Sequence, residues 1–145
     1  MKNKNILLLL GPNLNITGTK EKGMYGEEAA ERIRSQLQIV SESLGMHCDI
    51  FQSNWEGAII DKIHECRDTH EGYIINAGAL ACYSYALREA ISLVKVPCIE
   101  VNTANVYAKE KSKPHSIISD VCVGQITGFG QNSYFLAIQA LKELI

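Results

Sequence analysis

Short apolar runs alternate with amphipathic stretches along nearly the whole chain. Ile6-Leu7-Leu8-Leu9-Leu10 is apolar without interruption and has strand length, the pattern of a strand buried on both faces. Residues 26–45 place Ala29, Ile33, Leu37, Val40 and Leu44 at helical spacing, and Gly45 supplies a residue suited to closing that helix. Cys48-Asp49-Ile50-Phe51 predicts a second strand. From Glu56 to His70 the residues Ile59, Ile60, Ile63 and Cys66 share one helical face. Tyr73-Ile74-Ile75-Asn76 predicts a third strand, and Ser84 is placed to cap a helix running to about Leu93. Pro97–Val101 and Val121–Ile126 predict strands four and five. Phe135, Ile138, Leu141 and Ile145 mark a last helix.

Strand and helix therefore alternate five times, with a fourth connection that is more loop than helix. Alternation of this kind builds a parallel sheet with helices on both faces. The fold expected is α/β, a flavodoxin-like three-layer sandwich with a five-stranded parallel sheet in the order 2-1-3-4-5. Strands 1 and 3 then flank the topological switch point, and ligands bind at the carboxyl ends of the strands there. The residues that follow each strand become the ones to inspect.

Composition narrows the picture. The 145 residues, 46% hydrophobic and 21% charged, suit one globular domain, 1–145, without repeats or linkers. A net charge of −2 disfavours a general nucleic-acid or anionic-membrane surface. The polar start Met1–Asn5 and an apolar run of only five residues predict neither a signal peptide nor a span, so a cytoplasmic protein is expected. Five cysteines lie far apart with no CxxC pair, which argues against a disulfide framework or a zinc site. Most of them sit in or beside apolar stretches and are expected to act as small core hydrophobes.

The chemistry gathers after the strands. Gly11 to Gly26 form a sixteen-residue connection without apolar periodicity, long for a strand-to-helix loop. Asn13 and Asn15 bring amides to the switch point. Tyr25 lies near the loop's far end, where Lys20 and Lys22 could lower its pKa far enough for it to act as a base. The plain alternative is a surface tyrosine among solvated lysines. Strand 3 ends in Asn76-Ala77-Gly78-Ala79. Strand 4 carries Glu100, followed by Asn102-Thr103-Ala104-Asn105. A carboxylate in an apolar parallel strand must be paired or face a cleft. It either serves the site or is held by hydrogen bonds to a loop. Lys109, Lys111 and Lys113, then Pro114-His115-Ser116, read as a solvated run or as a clamp for an anionic ligand. Ile16–Thr19 faintly echoes a flavodoxin phosphate loop, but Glu21 to Tyr25 separate it from the next helix, against FMN. A phosphoacceptor receiver would need acidic residues after strand 1 and an aspartate at strand 3, where this chain has asparagines. GxxxxGK[ST] and GxGxxG are absent from the sequence.

These residues resemble a known family. Gly-Pro-Asn-Leu-Asn after strand 1 with Gly18, Glu21, Tyr25 and Gly26 is similar to type II 3-dehydroquinate dehydratase. So are Gln52-Ser53-Asn54-Trp55-Glu56-Gly57 with Ile60-Asp61-Lys62-Ile63-His64, and Ile74–Ala79 with Ala86–Ala90. Pro97 through Glu100-Val101, Asn105, Ala108, Glu110 and His115-Ser116 complete the match over nearly the whole chain. The resemblance implies a cytoplasmic homododecamer, a tetramer of trimers, working without metal or organic cofactor on a small anionic cyclic substrate. It implies dehydration of 3-dehydroquinate to 3-dehydroshikimate in the shikimate pathway of aromatic amino acid biosynthesis. In that chemistry a tyrosinate takes the C2 proton, an enolate forms at the C3 carbonyl, and a histidine protonates the leaving C1 hydroxyl. The base falls on Tyr25, the enolate-organising amide on Asn13, a ring-hydroxyl contact on Asn76, and the carboxylate partner of the acid on Glu100.

Several positions depart from the family pattern. The arginine beside the tyrosine is Lys20, which keeps charge and loses the bidentate fork. The substrate-binding histidine after strand 3 is Cys82. The aspartate that reaches a neighbouring subunit is Glu89. The general-acid histidine is Asn102, followed by Thr103, and the carboxylate-binding serine is Ala104. Both lid arginines are lysines, Lys109 and Lys113. An amide cannot donate a proton as an acid, and general acid catalysis contributes about 10²–10⁴-fold. Either another group substitutes, or the chain is an impaired or repurposed paralogue. Such a paralogue would bind or enolise another small carboxylated ketone, or be a non-catalytic oligomeric binding protein.

Overall fold

The computed structural model describes residues 2–15, 26–108 and 115–145. Five parallel strands make one sheet: β1 (Lys4–Leu10), β2 (Met46–Gln52), β3 (Gly72–Asn76), β4 (Cys98–Asn102) and β5 (Gly124–Thr127), in the order β2-β1-β3-β4-β5. The helices are α1 (Gly26–Ser43), α2 (Glu56–Cys66), α3 (Tyr85–Val94) and α4 (Asn132–Leu144). This is the expected α/β sandwich in the expected strand order.

Alternation along the strands divides the core in two. Leu7, Leu9, Tyr73, Ile75 and Cys98 face α2 and α3, packing on Ile59, Ile63, Leu87 and Ile91. Ile6, Leu8, Ile74, Ile99 and Val101 face α1 and α4, packing on Leu37, Ala137, Ile138 and Leu141. The uninterrupted leucines of β1 are thus needed on both sides of the central strand. Tyr73 is fully buried but keeps its hydroxyl satisfied by donating to the Ile63 carbonyl at 2.7 Å.

Local signals match the chain's turns. Gly45 adopts φ +75° after α1, and Ser84 caps α3 by accepting from the Leu87 N–H at 3.0 Å. The Ser84 hydroxyl also donates to Glu56 Oε2 at 2.6 Å, tying the start of α3 to the start of α2. Two boundaries differ from the sequence reading by three residues or more. The helix predicted to His70 ends at Cys66, whose carbonyl is taken by the N–H groups of Thr69 and His70. The strand predicted from Val121 begins at Gly124, because Ser119–Val121 form a 3-10 turn instead. That turn carries Ser119 to the buried Glu100, a demand that hydrophobicity does not encode.

Cys48, Cys66 and Cys98 are buried, Cys122 is half-buried and Cys82 is exposed. Burial pushes the Cys48 thiol up to about 12. A hydrogen bond with Cys122, together with burial, holds the Cys98 thiol well above its ordinary value. Both remain protonated near neutral pH and act as packing groups. Among the described residues no helix is long and apolar enough to cross a membrane.

Two predictions follow from the packing. Ser84→Ala removes both the cap and the bond to Glu56, and urea unfolding is expected to show a loss of about 1–2 kcal/mol. The second concerns Asp49 on edge strand β2, which bonds His70 Nε2 at 2.8 Å and His47 Nε2 at 3.0 Å. Partial burial works against its charge, but the two histidine bonds outweigh it and lower the pKa below the ordinary 3.8. A depressed carboxylate contributes stability that is present above its unfolded pKa and disappears as pH falls through the folded one. Between about pH 5 and about pH 2, the urea midpoint of Asp49→Asn should therefore fall less steeply than that of the parent.

Candidate functional site

The connections after β1 and β3 meet backbone to backbone. Gly11 donates its N–H to the Asn76 carbonyl at 2.8 Å, and a Cβ on Gly11 would lie 2.3 Å from the Ala77 oxygen. Gly78, at φ +59°, faces the Pro12 carbonyl, 3.1 Å from where its own Cβ would stand. Only glycine permits both approaches. Asn13 follows in the left-handed region at φ +70°, a conformation that asparagine tolerates better than most residues. Its N–H donates to Asn54 Oδ1 at 2.9 Å, and Gln52 Nε2 bonds the same oxygen and the Gly11 carbonyl, each at 3.2 Å. The end of β2 thus props the loop that carries Asn13.

Asn76 closes β3 and is buried. Its Oδ1 accepts from the Gly78 N–H at 3.2 Å and its Nδ2 donates to the Tyr134 hydroxyl at 2.9 Å. Asn76 therefore points to the α4 face of the sheet and commits one of its two amide hydrogens to the scaffold.

Glu100 points to the opposite face, with 1% of its surface exposed. Among the described residues three donors meet its two oxygens. Ser116 Oγ reaches Oε2 at 2.6 Å, Gln125 Nε2 reaches Oε1 at 3.0 Å, and the Ser119 hydroxyl also bonds Oε1. Ser116 Oγ also accepts from the Ile118 N–H at 3.2 Å, which leaves its own hydrogen for the carboxylate. Glu100 thus accepts hydrogen bonds on both oxygens. The network continues outward: the Tyr107 hydroxyl donates to Gln125 Oε1 at 2.9 Å, and the Tyr107 ring lies against His115, with centroids 6.4 Å apart. Behind it, Arg88 of α3 donates to the Ile117 carbonyl at 2.7 Å and pairs with Asp120. The arginine's hydrogen bond holds the Asp120 carboxyl below its ordinary value.

The segment after β4 is sewn to the end of β5. The Asn102 carbonyl accepts from Gly128 at 3.0 Å, the Thr103 carbonyl from Gly130 at 2.9 Å, and the Ala104 carbonyl from Thr127 Oγ1 at 2.9 Å. Asn102 and Thr103 are half-buried and Ala104 is exposed at this rim. Cys82 is exposed at the end of the 3-10 turn Gly78–Cys82. Glu89 lies on the exposed side of α3, four residues beyond Tyr85 and thus about one turn from the rim. Of the sequence candidates, Asn13, Asn76, Cys82, Glu100, Asn102, Thr103 and Ala104 gather at the carboxyl ends of β1, β3 and β4. Glu89 stands apart from them. Tyr25, Lys20 and Lys113 lie outside the described residues.

The sequence reading missed Gln125, Ser119, Tyr107 and Arg88 around Glu100, and Tyr134 as the partner of Asn76. One signal was available. In the β4–β5 register Glu100 sits beside Gln125. Starting the fifth strand at Val121 hid that pairing. Among the described residues no group of three or more His, Cys, Asp or Glu side chains is placed to hold a metal ion.

The chain as a whole matches known proteins in sequence and in fold. The family model for class II dehydroquinase covers residues 4–142. The chain belongs to the class II dehydroquinase family. It is 44% identical over 140 residues to 3-dehydroquinate dehydratases of Bacillus cereus and Bacillus anthracis, covering 97% of this chain and 96% of each relative. Among solved structures it is similar to the type II dehydroquinase of Butyrivibrio crossotus, at 40% identity and a TM-score of 0.87, covering 97% of this chain and 99% of that one. The type II dehydroquinase of Propionibacterium acnes has the same TM-score at 32% identity, with 97% of each chain covered.

Gly11→Ala tests the joint between the two loops. The new methyl meets a backbone carbonyl, which cannot rotate away as a side chain would. A destabilisation of about 1–3 kcal/mol in urea unfolding is expected.

Proposed function

We propose that this chain dehydrates 3-dehydroquinate to 3-dehydroshikimate, as the name of its relatives states for them. The observation that carries the proposal is 44% identity to 3-dehydroquinate dehydratases along nearly the full length of both chains. The hydrogen α to a ketone is acidic enough for a side-chain base once the enolate oxygen is stabilised. Tyr25 is the proposed base, with Lys20 as the cation that lowers its pKa. Asn13 is proposed to steady the enolate and Asn76 to bond a ring hydroxyl with its remaining amide hydrogen. Thr103 and Lys113 are the proposed contacts to the substrate carboxylate, beside Ala104, which lacks the hydroxyl expected there. Cys82 would pack against the ring. Glu100 is the proposed anchor of the acid side of the site. The reaction is proposed to run on side chains alone, in a cytoplasmic homododecamer in which Glu89 reaches a neighbouring subunit's site.

A second reading is favoured by one observation: position 102 is an amide where a dehydratase of this type is expected to carry its acid. A protein that keeps the base and lacks the acid would enolise another small carboxylated ketone, or bind one without turnover. Following the ultraviolet absorbance of the enone product with excess 3-dehydroquinate separates these readings. Turnover by the parent chain that falls to background in Tyr25→Phe is expected. No product from the parent, with product from Asn102→His, would replace the first reading by the second.

A further inference from the structure

Loss of hydroxide from carbon is slow near neutral pH unless a proton accompanies it, and histidine is the side chain whose unperturbed charge change falls nearest that range. The chain has four histidines. His47 and His70 are both engaged by Asp49, on the α2 side of β2. His64 is exposed in the last turn of α2. Because α2 runs antiparallel to the strands it covers, that turn lies at the amino-terminal edge of the sheet, away from the rim. His115 alone of the four adjoins the residues at the carboxyl end of β4. It precedes Ser116, whose hydroxyl bonds Glu100 at 2.6 Å, and its ring meets that of Tyr107.

Resting on the dehydratase reading, we propose that His115 supplies the proton that Asn102 cannot. It would be placed for this by the chain of contacts Glu100–Gln125–Tyr107. Glu100 fixes the Gln125 amide, and the amide oxygen accepts from the Tyr107 hydroxyl. The tyrosine ring so oriented packs on the imidazole. The base takes the proton from C2, and the C–H electron pair enters the enolate. As the carbonyl re-forms, that pair makes the ring double bond and the C1–O bond breaks with its electrons on oxygen. The imidazolium N–H passes its proton to that oxygen, water leaves, and neutral His115 regains a proton from solvent. Tyr107 meets the ring directly, Glu100 lies beyond Ser116, and Asp120, further along the same segment, is bound by Arg88. His115 is exposed, so its removal leaves the core intact.

The test measures two rates in the parent and in His115→Ala: enone formation from 3-dehydroquinate, and exchange of the C2 hydrogen with deuterated solvent. The expected result is a loss of about 10²–10⁴-fold in enone formation with exchange retained, and partial recovery on adding free imidazole. Enone formation within threefold of the parent would overturn the role of His115 and leave the dehydratase reading standing. Equal loss of both rates, unrelieved by imidazole, would assign His115 a structural role and overturn the proposal. No enone from the parent chain would overturn the dehydratase reading, and the proposal with it.

Discussion

A carboxylate buried in the middle of a parallel sheet is the constraint around which one end of this molecule is arranged. An isolated ionised carboxylate in such a place would cost many kcal/mol, so Glu100 requires donors on both oxygens. No neighbour on β3 provides them; Ile75 stands at the paired position. The donors come instead from β5 and from the segment that precedes it. Ser116 and Ser119 approach because that segment tightens into a 3-10 turn, and Gln125 approaches because β5 pairs in register. Arg88 holds the same segment from behind through the Ile117 carbonyl. The course of residues 115–125 answers an electrostatic requirement before it answers a hydrophobic one.

This explains what the sequence disclosed and what it withheld. The leucines of β1 and the helical spacing in α1 and α4 report burial directly, so the layers and strand order were legible. Ser84 and Gly45 were legible because capping and left-handed closure depend on residue type alone. Glu100 could be recognised as a carboxylate in need of partners, but not which partners. They lie sixteen, nineteen and twenty-five residues away and belong to a stretch whose apolar pattern suggested a longer strand. Asn76 was legible as a rim residue, yet its tie to Tyr134 spans fifty-eight positions and leaves no local trace. Helix α2 was drawn too long for a similar reason. The apolar stripe continues to Cys66, but the turn beyond it is set by which N–H groups reach the Cys66 carbonyl.

The two faces of the sheet divide the labour at the rim. Asn76 turns toward α4 and is anchored there, while Glu100 turns toward α2 and α3. The exposed or half-buried side chains of Cys82, Asn102 and Ala104 stand on the rim itself. The anchors beneath, Glu100, Asn76 and the glycines at 11 and 78, keep the residues that the packing demands. A scaffold of this kind tolerates exchange of its rim side chains while fixing where they stand. That is how one fold can carry related but distinct chemistries.

The contact of Gly11 with Ala77 and of Gly78 with Pro12 has a consequence for adaptation. Two loops from different strands share one joint, so neither can be lengthened or re-angled while the other keeps its shape. A side chain at Gly11 or at Gly78 would meet the other loop's backbone, so a change at either glycine requires the facing loop to move with it. Change is therefore easier at the rim side chains 82, 102 and 104, which are exposed or half-buried, than in the loops that hold Asn13 and Asn76. Laboratory evolution that randomises the joint should vary both loops together.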